Sequence, residues 1–344
     1  MVAHGANPGF VSVLVKHALD LMGKRFLLGH RHAPHDREGW ARLARELGIR
    51  VIQISERDTQ VSATPHRPGE FVNTWSVDGF VSECLQPAEL GWGTHETRLP
   101  VHGRTHEQGC RAAIAIEQPG FTVKMKSWSP NGRDFDAYLI SHNEAISIAD
   151  HLSCRDGERT SYRPTVYYAY HPCDQAVESL RLLEGGNSER IRSRRVIKDD
   201  IASGIDELGV FLISDRWPAL WVGSNLSIGK ARRQAPHNSA TSLQVASSLV
   251  AALHWMLKNP RAGVVESEDL DADFIFDLAQ DYWAPLVTEY VAWRPNPHSQ
   301  GLQFADFLIA PPCRSTPEPD SSATEVPDVE RRNCPRPEAL LSRP

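Results

Sequence analysis

Paired cysteines are the first thing this sequence lacks. Its six cysteines, Cys84, Cys110, Cys154, Cys173, Cys313 and Cys334, are scattered, with no C-x-x-C pair and no compact disulfide-like spacing, so reduced thiols are expected. No run approaches the roughly 18 consecutive apolar residues that a membrane helix needs, and the opening MVAHGANPGF has neither a charged nor an apolar leader pattern. These absences point to a cytoplasmic protein without a membrane partner. An excess of basic charge is missing too: 37 Lys and Arg face 43 Asp and Glu, a formal net charge of -6. That balance offers no field for nucleic-acid phosphates and suits a cationic ligand better.

Several catalytic signatures are absent as well. The stretch GSNLSIGKA, Gly223 to Ala231, has one residue too many for a P-loop and Ala where the hydroxyl belongs. GWGTHE, residues 91–96, puts Glu96 where a dinucleotide fingerprint needs its third glycine, and a carboxylate there would repel a pyrophosphate. His30, His32 and His35 lie in a polar loop without a carboxylate or thiolate partner, and His102 and His106 lack the embedded Glu of H-E-x-x-H, so no metal is expected. No G-x-S-x-G elbow supports acyl transfer.

What is present is a chain of 344 residues, 41% apolar, long enough for a sizeable core and two structural units. HGANPG reads as a turn into a helix over Phe10 to Met22, and a second helix is expected from Glu38 to Leu47, stopping at Gly48. RVIQIS then forms a short strand that delivers Glu56 at its end. From residue 57 short strands dominate: AAIAIE (112–117), FTVKMKSW (121–128), FDAYLI (135–140), TVYYAY (165–170), GVFLI (209–213) and ALWVG (219–223). Residues 239–257 read as a long, well-buried helix. The basic run SERIRSRRVIK is followed at once by Asp199 and Asp200 and lacks interleaved aromatics, the pattern of a solvated strand edge.

The expected organisation has four parts. Residues 1–56 are a remnant of a Rossmann-like NAD-binding domain, and 57–237 form an α+β substrate and dimerisation domain. Residues 238–310 form a helical segment packing back on the core, and 311–344, rich in Pro, Ser, Glu and Arg, a disordered tail. The fold class is α/β: the C-terminal remnant of a doubly wound domain plus an α+β domain with a mixed sheet.

Four stretches are rich in function-prone residues: HGANPGFVS (4–12), NTWSVDGFVSECLQPAELGWGTHE (73–96), LISHNEAISIADHL (139–152) and RPTVYYAYHPCDQAVESL (163–180). Together with DELGVFL (206–212), WVGSNLS (221–227) and the long string from Ala235 to Asp271, they resemble the bacterial homospermidine synthases of the saccharopine-dehydrogenase-like group. The resemblance implies an enzyme that joins two putrescines with NAD as a recycled redox cofactor. One diamine is oxidised to an imine, ammonia leaves, the second diamine condenses, and the new imine is reduced. It also implies a homodimer, and a Gly-rich Rossmann half ahead of HGANPG. This sequence starts without that half, so the chain is expected to be impaired alone, or to pair with a chain that supplies it.

The chemistry sets its own demands. Diamine nitrogens have pKa values near ~10, so freeing one at neutral pH costs roughly 4 kcal/mol. The site must hold one ammonium while helping the other nitrogen lose its proton.

Trp75 suits a cation on its indole face, although it could equally be a core tryptophan. Glu83, eight residues on, falls within about a quarter-turn of it if VDGFVSECL is helical. The resemblance makes Glu56 and Glu83 acceptors for substrate ammonium groups, where each could otherwise lie on a solvated face. His142, at an apparent helix start, is expected to be neutral and to act as a base or a substrate anchor, unless it merely bonds the first helical turn. Asn7, before Pro8, matches the family position near nicotinamide and substrate, and could otherwise be an ordinary turn residue.

Two other functions stand beside the synthase. One is a non-catalytic remnant or interaction partner of an intact synthase. The other is a saccharopine or carboxynorspermidine-type dehydrogenase, whose carboxylate substrates would need arginines in the pocket.

Overall fold

The computed structural model describes residues 3–296 and 301–309. Among them, ten strands join in one mixed sheet: β1 (Ile49–Asp58), β2 (Pro87–Gly91), β3 (Gly103–Thr105), β4 (Ala113–Pro119), β5 (Lys124–Ser129), β6 (Arg133–Ile140), β7 (Thr165–His171), β8 (Ile205–Ser214), β9 (Ala219–Ser227) and β10 (Leu286–Val291). Their order is β10-β9-β8-β1-β7-β2-β4-β3, with β6 also on β7 and β5 on β6. β1 runs parallel to β7 and antiparallel to β8. The mixed sheet expected from the sequence is therefore present.

β1 lies at the centre because its alternation serves two cores. Ile52 and Ile54 face one apolar cluster, and Val51 faces a second built from Trp128, Tyr167, Phe211 and Trp221. Gln53 and Ser55 point to the second side but are satisfied: Gln53 Nε2 donates to Tyr167 Oη at 2.9 Å, and Ser55 Oγ donates to the Trp128 carbonyl at 2.9 Å. On the first face, the same alternation carries past Ile54 to Glu56 and Asp58, both buried. This acidic continuation of an apolar strand is the architectural origin of the site.

Helices cover that face. α1 (Phe10–Phe26) is buried along most of its length, and α2 (Arg37–Glu46) starts at Asp36, whose side chain accepts from Gly39 N at 2.7 Å. α3 (Val77–Leu85) is capped by Ser76, which accepts from Gly79 N at 3.0 Å. α4 (Glu144–His151) follows directly from the end of β6. α5 (Ala240–Lys258) and α6 (Ala272–Trp283) pack on one another and are capped by Ser239 and Asp271.

Four expectations need correcting or placing. The boundary at 56/57 falls inside β1, and strands from both sides of it share one sheet, because β1 pairs with β7 and β8 from much later in the chain. Residues 238–310 are not purely helical: β10 pairs with β9 at the sheet edge. α5 is not well buried all round, since Leu249, Val250, Leu253 and Leu257 are exposed; contrary to the hydropathy expectation, its 19 residues and mean hydropathy of 1.2 meet the length and composition of a membrane-crossing helix. The tail expected at 311–344 lies outside the described residues. As for the basic run, it sits at a strand edge, where Arg195 pairs with Glu70 at 3.0 Å and with Asp200 at 2.9 Å.

Candidate active site

The cavity of about 560 Å³ over the C-terminal end of β1 gathers Asn7, Glu56, Trp75, Glu83 and His142 into one wall. These come from five separate segments: the turn before α1, strand β1, the residue before the α3 cap, α3 itself, and the loop between β6 and α4. Trp75 precedes α3 rather than belonging to it, yet it opens onto the same space as Glu83, with 44% of its surface exposed.

At the floor, Tyr168 Oη donates to Glu56 Oε2 at 2.5 Å. Tyr168 sits on β7 beside Glu56 because the parallel register pairs Ile54 with Tyr168 and Glu56 with Tyr170. The two tyrosines stack with centroids 5.4 Å apart. Burial drives the Glu56 carboxyl upward, well above the usual carboxylate range, and the nearby Asp58 adds to this, while the Tyr168 hydroxyl pulls the other way. The Asn7–Pro8 peptide is cis, and the Asn7 carboxamide lies close enough to influence Glu56 and Tyr168, although its Nδ2 meets no hydrogen-bond partner among the described residues.

His142 overturns one expectation. Its ring lies 4.5 Å from Tyr168, with Nε2 3.3 Å from Glu83 and Nδ1 3.2 Å from Glu144. Burial disfavours its charge, but Glu144 and Glu83 together outweigh burial and push the ring up to about 10. It is an imidazolium near neutral pH, not a neutral base: two carboxylates at ion-pair distance exceed the field of the short helix α4.

Residues missed from the sequence adjoin the site. Asp58 lies directly opposite Asp206 across β1 and β8, and both carboxyls are raised by burial. Thr74 and Thr241 donate to them at 2.5 Å each. The legible signal was acidic residues at alternate positions of an apolar strand, and tyrosines at alternate positions of its neighbour. Glu144 and His4 carried no such signal.

Motifs set aside from the sequence have structural duties. Glu96 accepts from Thr165 Oγ1 at 2.6 Å and from the Phe304 amide. His30 pairs with Asp20 at 2.8 Å, and among the described residues no group of three His, Cys, Asp or Glu side chains could hold a metal.

A family model, the saccharopine dehydrogenase C-terminal domain, matches residues 5–289. The chain belongs to that family. Among relatives of curated function, this chain is 47% identical over 310 residues to homospermidine synthase of Blastochloris viridis, and 44% identical over 301 residues to that of Mesorhizobium japonicum (strain LMG 29417 / CECT 9101 / MAFF 303099). Those matches cover 90% and 87% of this chain but 65% and 62% of the relatives, so the chain spans less than two thirds of their length. The solved homospermidine synthase of Legionella pneumophila in complex with NAD superposes with a TM-score of 0.86 at 40% identity, over 89% of this chain and 69% of that one. This chain thus has the fold of the matched part of a synthase solved in complex with NAD.

Proposed function

We propose that this domain binds putrescine and handles its protons in the NAD-dependent synthesis of homospermidine. The observation that carries the proposal is the meeting of Trp75, Glu56 and Glu83 on one cavity. Trp75 offers a half-exposed indole face to a cationic nitrogen, worth roughly 0.5–2 kcal/mol. Glu83, at the more open end, receives an ammonium. Glu56, buried and raised well above the usual carboxylate range, is suited in its ionised form to take the proton that the reacting nitrogen must lose, since a base works best with a pKa near the working pH. The aromatic floor of Tyr168 and Tyr170 keeps water from the reacting end.

NAD, when bound, would accept a hydride from the first diamine and return it to the new imine. Asn7 and His4 fit its nicotinamide end: both line the cavity, and Asn7 Nδ2 and His4 Nε2 are buried without partners among the described residues. The start of α1 is not a pyrophosphate cradle, because the amides of Phe10, Val11 and Ser12 already donate to Gly5, Ala6 and Gly9 carbonyls.

An amino-acid substrate fits less well, because among the described residues no arginine or lysine lines the cavity. Cytoplasmic residence and homodimer formation extend the proposal; unpaired Cys84, Cys110, Cys154 and Cys173 support the first, and family resemblance the second. Calorimetry with putrescine tests the core of it. We expect saturable binding, weakened about 2- to 30-fold in Trp75→Ala, and homospermidine on incubation with NAD, putrescine and a chain that supplies the Gly-rich half. A chain that binds no putrescine would refute the assignment.

A further inference from the structure

We propose that Glu144 is a positioning residue, fixing the His142 ring so that its Nε2–H is held toward Glu83 and turns that carboxylate to the cavity. The inference rests on the diamine reading of the same site and adds a residue that does not itself line the cavity. Glu144 stands in the first turn of α4, entirely buried, with Oε1 3.2 Å from His142 Nδ1. Its other oxygen, Oε2, has no partner among the described residues. A buried carboxylate satisfied at only one oxygen is costly unless a cation stands against it, and the His142 imidazolium is that cation.

The two carboxylates flanking His142 are not equivalent. The Glu83 side chain is 36% exposed, whereas that of Glu144 is 1% exposed. An arriving ammonium can draw Glu83 away from His142, but Glu144 stays. The ring therefore keeps its charge and orientation while Glu83 exchanges partners, much as a buried carboxylate orients the histidine of a hydrolase triad. The other titratable groups that line the cavity with the ring are Glu56 of β1, Glu89 of β2, Tyr168 and Tyr170 of β7, and His4. Behind Glu144, Glu268 adds a further carboxyl, which accepts from Ser12 Oγ at 2.7 Å and Ser147 Oγ at 3.0 Å.

The chain follows through Tyr168. His142 packs on this ring, and the Tyr168 hydroxyl bonds Glu56. One fixed imidazolium thus braces the two carboxylates assigned to the diamine.

Two measurements on the full chain test the proposal: NMR titration of His142, and calorimetry with putrescine. In the wild type His142 should carry both protons from about pH 6 to about pH 9. Glu144→Gln should bring its midpoint below about pH 8, and Glu144→Asp should restore most of the difference. With Glu144 neutral, the imidazolium is uncompensated at low pH, so Glu144→Gln should bind putrescine about tenfold more weakly than wild type at about pH 6. Near about pH 9 the ring of the Glu144→Gln variant has lost its proton, site charge again matches the wild type, and the two affinities should converge.

An unchanged His142 titration in Glu144→Gln overturns the proposal. So does a wild-type ring that is neutral at Nδ1 near pH 7, a result that needs no variant to fold. A wild type that binds no putrescine while His142 still responds to Glu144→Gln defeats the diamine reading and leaves the positioning role standing.

Discussion

Glu56 and Tyr168 show how one contact tunes a buried acid. The Tyr168 hydroxyl donates to Glu56 Oε2 at 2.5 Å and stabilises the ionised carboxylate against burial. Tyr168→Phe removes that donor, so the carboxyl should rise further. If Glu56 accepts the substrate proton, the acid limb of putrescine-dependent NAD reduction should move toward higher pH by about one unit, the equivalent of ~1.4 kcal/mol. A limb that stays put, or moves toward acid, would remove Glu56 from the base role. Trp75 and Glu83 could be named from the sequence only through resemblance, since an indole or a carboxylate reads the same on a surface as in a pocket. Glu144 could not be named at all: its importance lies in a distance to His142 and in the absence of solvent.

At the scale of elements, the site depends on how closely α4 approaches the sheet. Gly91 at the end of β2 packs against α4, where an added Cβ would overlap Ala149 Cβ and come within 2.5 Å of the Ala145 carbonyl oxygen. α4 begins at Glu144 and follows His142, so displacing it moves the imidazolium. Gly91→Ala is expected to cost about 1–3 kcal/mol of stability and to weaken putrescine binding as well, read by denaturant midpoint and calorimetry on one preparation. Stability loss with unchanged binding would show that α4 does not set the site. The sequence placed Gly91 in a failed dinucleotide motif; the packing gives it a duty unrelated to phosphate. Strands β1, β7, β8 and β9 were legible because both their faces are buried and their apolar runs are long. β10, with every residue but one half-buried, lacked that contrast and was read as part of a helical segment.

Over the whole molecule, opposed titrations define a pH window. His4, His95 and His151 are buried, and burial lowers each to about 4. A depressed histidine contributes stability that is complete above its unfolded value of about 6.5 and lost as pH falls through about 4. His142 has the opposite sign: raised to about 10, it contributes fully below about 6.5 and loses that contribution as pH climbs through its folded value. The raised carboxyls of Glu56, Asp58 and Asp206 act in the same sense as His142, favouring the protonated fold and losing their contribution as pH rises. From about pH 4 to about pH 6.5 the three histidines gain what the three carboxyls lose, and above that only losses remain, so thermal midpoints should fall from about pH 6.5 toward about pH 10. A midpoint unchanged up to about pH 10 would contradict the charge assigned to His142.

The sequence by itself determined the mixed sheet, the helices around it, the acidic character suited to a cation, and five residues that meet in one cavity. Strand alternation, helix caps and long ordered strings are local, and local patterns survive in one dimension. Only the tertiary structure decided that β1 is shared across the expected domain boundary, that Tyr168 stands beneath Glu56, and that His142 is charged. Those facts depend on register between strands more than a hundred residues apart and on exclusion of water, and neither is written in any single segment.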